Sequence, residues 1–478
     1  MELQSLVPDK NDYGTKLTEP LENGLSLPPT LHNEKTEKQC PDSENKDTPI
    51  ESFDKISNFA SFMHFTRGFI TPVMLTMPYN MKLLGLWSGT IGVLLVGLMA
   101  TFNIITLIRC SQIMCKRLKV QSLDYVDLFG HALSIGPKFS RDFNTVPRTI
   151  IAVLLIIANV GYCVVYVALA SSYLQQVVKV YIEGHIFLRP YVLIFCLTLL
   201  PICMVTTLRI LAPFSTLGNM LNAVNLIIVF QYICRDLPDI GTRQWFTGLS
   251  PERGLVLVAI SNLMFSYEGI GTVLPIENRM IHRESYGGWN GLASLGMTLL
   301  ISLYAATGFY GFLKFGEDTQ PSLLLNLPTD QPLYRSLKVL NIFVLYTTIG
   351  FQIFVPSKVI WQGIERRLRS GTLIRYGEYL VRFLLLLFIT LFAMAVPNTD
   401  MVQPLVGAMC GSSLAFVFPP LIMTFILWNP DDEEDQSTWK RVKHKLKVIF
   451  YLTLFVMGAC FTVFGTIEAV QRIIYRYL

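Results

Sequence analysis

Charge is what this chain has least of. Asp, Glu, Lys and Arg make up 15% of its 478 residues while 52% are apolar, against about 25% charged residues in soluble domains. A soluble core of this length has no means of hiding so much apolar surface, so the composition calls for a lipid-facing exterior. The net charge of +5 is modest, and no basic stripe suggests a nucleic-acid footprint. The nine cysteines include no CxxC pair, which argues against a zinc or redox motif. No Asn-x-Ser/Thr acceptor occurs, so N-glycosylation marks no outer loop. The first fifty or so residues lack a signal-peptide apolar core and are rich in Pro, Glu, Lys, Asn and Ser; residues 1–55 read as a disordered cytoplasmic tail. No loop brings together a nucleophile, a base and an orienting group, so enzymatic activity is not expected. The acidic run from Asp431 to Asp435 reads as a solvated linker.

What the chain does contain is apolar sequence of spanning length. A membrane helix needs about 20 apolar residues, and eleven such stretches lie near 59–86, 88–109, 149–180, 190–207, 212–234, 254–280, 291–313, 335–360, 378–397, 402–428 and 447–468. The expected fold is all-α and integral to the membrane, with eleven transmembrane helices. Basic residues gather after even-numbered spans: Lys116, Arg117 and Lys119 after the second, Arg366, Arg367 and Arg369 after the eighth, and Lys440, Arg441, Lys443, Lys445 and Lys447 after the tenth. The segment between Pro397 and Pro404 has none. By the positive-inside rule this bias puts the N-terminus in the cytoplasm and the C-terminus outside. The final Tyr475-Arg476-Tyr477-Leu478 has the form of a tyrosine-based sorting signal, but that orientation turns it to the wrong side. The layout is then a ten-helix core over 56–428, a charged cytoplasmic loop over 429–446, and an eleventh helix with a short outer tail over 447–478.

The first and sixth spans are interrupted. In the first, His64-Phe65-Thr66-Arg67-Gly68-Phe69-Ile70-Thr71-Pro72 sets an imidazole, a guanidinium, a glycine and a proline at mid-membrane depth. Proline removes a backbone hydrogen bond, and freed backbone groups are tolerated there only when buried in protein or lining a cavity. In the sixth, Ser266-Tyr267-Glu268-Gly269-Ile270-Gly271-Thr272, followed by Pro275, sets a carboxylate beside two glycines. An intramembrane carboxylate needs a partner or a watery site. Either interruption by itself is compatible with a packing kink. Lying five spans apart, the two together point to a secondary transporter built as a five-plus-five inverted repeat, about 56–235 and 250–428, with discontinuous helices 1 and 6 and a peripheral helix 11. The substrate then sits between half-helix ends, beside Gly68, Phe69, Thr71, Val73, Tyr267, Glu268, Gly269 and Gly271. Arg67 and Glu268 are placed to pair across the two breaks. His64 is the one histidine expected inside a span, and its ordinary titration range suits proton coupling, although a histidine within a helix also serves as a hydrogen-bonded packing group.

The run from Phe265 to Gly271, continued by Leu274-Pro275-Ile276-Glu277-Asn278, resembles almost residue for residue the sixth-span motif of the proton-coupled amino acid transporters of solute carrier family 36. Leu211-Ala212-Pro213-Phe214-Ser215, Leu325-Asn326-Leu327-Pro328, Gln352 to Pro356, and Gly411 to Ala415 through Pro419-Pro420 extend the resemblance from about Phe59 to the end of the tenth span. It implies the inverted-repeat fold, symport of small neutral amino acids with protons, a coupling histidine at His64, and positions near the substrate at Tyr166 and Glu268. No cofactor is implied beyond protons as the coupling ion. The implied partners are the amino acid substrate and the lipid bilayer, in a plasma or endolysosomal membrane.

The first span departs from that family pattern. Where the family has a glycine-rich run, this chain keeps Gly68 and carries Phe69, Thr71, Val73 and Thr76. Thr71 as N-cap and Pro72 as first helical residue would still start a half-helix, with one donor fewer, and Phe69 and Val73 would narrow the cavity. A restricted substrate range is the expectation. A transport-deficient amino acid sensor and a sodium-coupled carrier are the alternatives, the latter lacking an obvious oxygen cage near the Lys358 end of the eighth span.

Overall fold

The computed structural model describes residues 56–477 except 70–71, 138–144, 183–186, 207, 247–252, 268, 366–370, 397–398 and 429–437. The segment read as a cytoplasmic tail and the acidic run at 431–435 therefore lie outside the described residues. Those described fold as helices, with one isolated parallel bridge between Ile56 and Met280.

In chain order, α1 (Asn58–Phe69) is followed by a 3-10 turn (Pro72–Thr76) and α2 (Met77–Leu84). Next come α3 (Leu86–Leu118), the short α4 (Tyr125–Ile135), α5 (Thr145–Val178), α6 (Leu188–Cys203) and α7 (Leu208–Ile233). The pair α8 (Arg253–Ser266) and α9 (Ile270–Arg279) precedes α10 (Leu292–Phe315), the single turn α11 (Leu323–Asn326), α12 (Pro332–Glu365) and α13 (Gly371–Ala395). Helix α14 (Thr399–Val406) passes through two π-helical turns, Gly407–Gly411 and Ser413–Val417, into α15 (Phe418–Trp428), and α16 (Thr438–Tyr477) closes the chain.

Among the described residues, nine helical stretches are long and apolar enough to cross a bilayer. The chain is a multi-pass helical membrane protein. The short fourth span is α6, 16 residues long, and the α1/α2 pair stands where the first span was expected.

Burial sorts these helices into interior and rim. The stretch Thr399–Trp428 is 78% buried over its apolar window, whereas Arg441–Tyr475 is 11% buried. Helix α16 thus faces outward along most of its length, held to the body by the hydrogen-bonded hydroxyls of Ser412 and Thr462, 2.6 Å apart. It starts at Thr438 and continues to Tyr477. Residues 438–446, read above as part of a charged loop, and the residues read as an outer tail up to Tyr477 are helical instead. Counting apolar residues stops at the first lysine, but Lys and Arg are good helix formers whose stems can lie along apolar surface while their heads reach water.

A second helix end is settled by a charge. Arg382 of α13 is fully buried and donates from Nη1 to the carbonyls of Cys203 (3.2 Å) and Val205 (2.9 Å), and from Nη2 to Glu378 (2.8 Å). The last carbonyls of a helix have no partner within it, and this guanidinium caps that of Cys203 at the end of α6 and takes up that of Val205 just beyond it.

Candidate functional site

Helix α1 buries one stripe, Ser61, Phe65 and Phe69, each no more than 1% exposed, as expected for residues four apart. The stripe faces α10, where Gly296 leaves room for the Phe65 ring; a Cβ at 296 would lie 2.5 Å from a ring carbon. Phe65 packs in turn on Phe69 and on Tyr286, with ring centroids 4.7 and 6.2 Å apart. The regular helix stops at Phe69 and the chain resumes as a 3-10 turn at Pro72, a position that suits a residue without an N–H. In the sixth span the regular helix stops at Ser266 and resumes at Ile270, with Gly269 as its cap.

The two stops face each other. The Phe69 ring lies directly over Gly269, where a Cβ would approach ring carbons to 2.6–2.8 Å. Position 269 therefore tolerates no side chain while the ring is in place. From α10, the fully buried Tyr304 hydroxyl lies 2.7 Å from the Phe69 carbonyl and 3.1 Å from the Ser266 carbonyl. One donor thus serves the terminal carbonyls of both α1 and α8, groups that would otherwise lack a partner inside the protein.

Neighbouring helices fix the surroundings. Tyr267 packs its ring on Tyr304, centroids 5.2 Å apart, and donates its hydroxyl to the Val93 carbonyl of α3 at 3.0 Å. Its side chain is committed to holding α3 rather than turned into the space between the stops. Val73 is buried in the 3-10 turn, whose carbonyl accepts from Thr76 at 2.8 Å, while Thr76 accepts from Gln403 of α14 at 3.1 Å. On α5, Tyr162 contacts both Tyr166 and Phe265, with centroids 6.3 and 4.6 Å apart, which sets the buried Tyr166 beside the end of α8. A Cβ on Gly271 would make only ordinary contact with Leu155 of α5, at 3.4 Å.

Of the residues selected from the sequence, the structure brings Phe69, Tyr267 and Gly269 together at the breaks, with Gly68 in the last turn of α1, Val73 just beyond it and Tyr166 alongside. His64 lies on an exposed face of α1, off the buried stripe. Thr71, Glu268 and the Arg67 side chain are outside the described residues, and with them the expected Arg67–Glu268 pair. Tyr304 and Gln403 were not selected. A tyrosine in an apolar span does carry a signal, since its hydroxyl usually finds a partner when buried, but nothing in the sequence names the partner.

Residues 54–468 match the family described as transmembrane amino acid transporter protein. The proton-coupled amino acid transporter-like protein pathetic of Drosophila melanogaster is 29% identical over 418 residues, covering 87% of this chain and 84% of that protein. The probable amino acid transporter skat-1 of Caenorhabditis elegans is 22% identical over 448 residues, 90% and 93% of the two chains. Among solved structures, a substrate-bound, outward-open Na+-coupled sialic acid symporter superposes with a TM-score of 0.52 at 13% identity, covering 88% of this chain and 90% of its own. Mhp1, a nucleobase-cation-symport-1 family transporter, does so with 0.51 at 10% identity, covering 88% and 93%. Identities this low show a shared fold alone. The family match spans most of the sequence and agrees with the resemblance carried by the sixth-span motif, and on that ground the chain belongs to the transmembrane amino acid transporter family.

Proposed function

We propose that this protein is a proton-coupled symporter of small neutral amino acids with a restricted substrate range. The observation that carries the reading is the meeting of two interrupted helices at Phe69, Gly269 and Tyr304. A zwitterion needs donors for its carboxylate and acceptors for its ammonium, and half-helix ends offer both inside a bilayer. The carbonyl ends of α1 and α8 supply acceptors, and the first turns of the Pro72–Thr76 segment and of α9 supply N–H groups. In this reading ten of eleven transmembrane helices form the five-plus-five repeat, α16 stands outside it, and the N-terminus is cytoplasmic. The names of the fly and worm relatives support amino acids as cargo, and that of the fly protein supports protons as the coupling ion. The Phe69 ring over Gly269 supports the restriction, because a substrate reaching those N–H groups must be small or must displace the ring.

The same ring gives weight to a second reading, an amino acid sensor that binds without transporting. Currents and radiolabelled uptake for a panel of amino acids, at acidic and neutral outside pH, separate the two. Inward current that grows with acidity for a few small amino acids is expected. Silence across the panel, with the protein present in the membrane, favours the sensor, and uptake that follows sodium but not pH overturns proton coupling. His64→Ala is expected to remove the pH dependence without loss of membrane expression; unchanged pH-driven uptake in that variant would take the coupling role away from His64.

A further inference from the structure

Three buried polar atoms without a hydrogen-bond partner among the described residues cluster where α9 ends: Glu277 Oε2, Asn278 Oδ1 and the Tyr286 hydroxyl. Glu277 is 2% exposed and Tyr286 fully buried. The other carboxyl oxygen, Oε1, accepts from Gln112 Nε2 of α3 at 3.0 Å. None of the ion pairs among the described residues includes Glu277. Arg283, a cation close enough to act on this carboxyl, donates to the carbonyls of Gln121 and Asn278. An ionisable group buried in a membrane protein with a single neutral donor is a poor packing element, and such groups mark ion and proton pathways more often than structural ones.

The helix on which this carboxyl sits is joined to α1 by a separable contact. Ile56, two residues before α1, is clasped to the end of α9, its N–H donating to the Arg279 carbonyl at 2.8 Å and the Ile281 N–H donating to the Ile56 carbonyl at 3.2 Å. The clasp is short and joins the outer ends of α1 and α9, whose inner ends meet where the Phe69 ring covers Gly269; α1 also packs Phe65 on Tyr286, so movement of α1 away from α9 would loosen the surroundings of Glu277 from that side. The titratable groups around it are Cys115 on α3 and Arg283 and Tyr286 after α9. Arg279 lies on its own helix, His64 on an exposed face of α1, and the adjoining Ser413–Val417 turn carries none.

We infer that Glu277 is a proton-binding site of the transport cycle, distinct from His64: its carboxyl holds a proton while the Ile56–Arg279 clasp is shut and gives that proton to water on the clasp side when the clasp opens, becoming a carboxylate held by Gln112. The inference rests on the proton-coupled reading above and adds to it the group that unloads the proton.

The test uses the full chain, reconstituted or expressed, with proton influx and radiolabelled amino acid followed together. Glu277→Gln keeps the shape and a polar contact to Gln112 but has no proton to release. Its expected phenotype is amino acid exchange within about twofold of wild type and proton influx reduced at least about tenfold. Wild-type proton influx in this variant overturns the inference, as does loss of exchange together with coupling in a variant present in the membrane, which would assign Glu277 a structural role. Should the variant fail to reach the membrane, Gln112→Met decides: losing the donor to the carboxylate is expected to raise the pH of half-maximal uptake by about one unit, and an unmoved midpoint overturns the assignment. A wild-type chain that takes up amino acids with no proton influx overturns the proton-coupled reading itself.

Discussion

A tyrosine hydroxyl has one hydrogen to give, and Tyr304 sets it between two carbonyls that belong to different broken helices. Because both acceptors are helix-terminal, the hydroxyl couples the positions of the two breaks more than it adds to stability. Tyr304→Phe is expected to leave folding intact, costing only about 1 kcal/mol, while lowering the maximal uptake rate by roughly tenfold, a barrier change of similar size. Concentration dependence of uptake checks this, and an unchanged maximal rate counts against the coupling role. Gly269 and Phe69 make the complementary case, since the ring occupies the space a side chain at 269 would need. Gly269→Ala is expected to abolish uptake, and Phe69→Ala in the same chain to restore part of it; as a single change, Phe69→Ala should admit larger amino acids. Full activity in Gly269→Ala would show that the ring is not held over the glycine during transport. At this scale the sequence revealed Phe69 and Gly269, because a large residue in a glycine-rich place and a glycine beside an intramembrane carboxylate are both departures from an ordinary span. It did not reveal Tyr304, whose importance comes from carbonyls 235 and 38 positions away.

Between residues and the whole lie the elements, where proline, glycine and charge left clear marks. Pro72 and the Gly269-Ile270-Gly271 run announced the two interruptions, and they fall where the regular helix ends at Phe69 and Ser266. Helix α16 runs beyond the apolar stretch at both ends, because apolar content measures what lipid covers, whereas helicity continues into water. The π turns at Gly407–Gly411 and Ser413–Val417 were not legible at all: π geometry is rare, often functional, and here belongs to a stretch wedged against α8, where tertiary contact decides the winding. The cap on α6 was equally hidden, since a lone arginine in an apolar helix does not disclose which carbonyls it serves. Arg382→Met is expected to free the Cys203 and Val205 carbonyls and leave Glu378 without its cation, a loss of about 2–3 kcal/mol. Thermal unfolding in detergent would register this as a lower midpoint, and an unchanged midpoint would mean that the cap is dispensable.

Across the whole molecule, alternating access requires that contacts closing one side be breakable as a set. The connection between α10 and α12 is drawn deep into the body: Ser322, Leu323 and Leu324 are fully buried. Two helices hold it. The Tyr173 and Ser322 hydroxyls of α5 and the connection lie 2.6 Å apart, and Gln176 donates to the Leu325 carbonyl at 3.2 Å. From α12, the buried Lys338 donates to the Leu327 carbonyl and to Gln176 Oε1, both at 2.8 Å. Lys338 therefore stands at the centre of the latch, joining α12, α5 and the α11 connection through one ammonium. The clasp precedes α10 and this connection follows it, so in the proposed transport cycle the two act as opposed closures and weakening one should raise the share of time spent open there. With Leu324→Cys as reporter, above the background of the native cysteines, Lys338→Met is expected to speed labelling by an impermeant thiol reagent about fivefold, the effect of roughly 1 kcal/mol on a two-state equilibrium. Equal labelling rates with and without Lys338 would show that the buried connection is fixed in place, and that access from that side follows some other path.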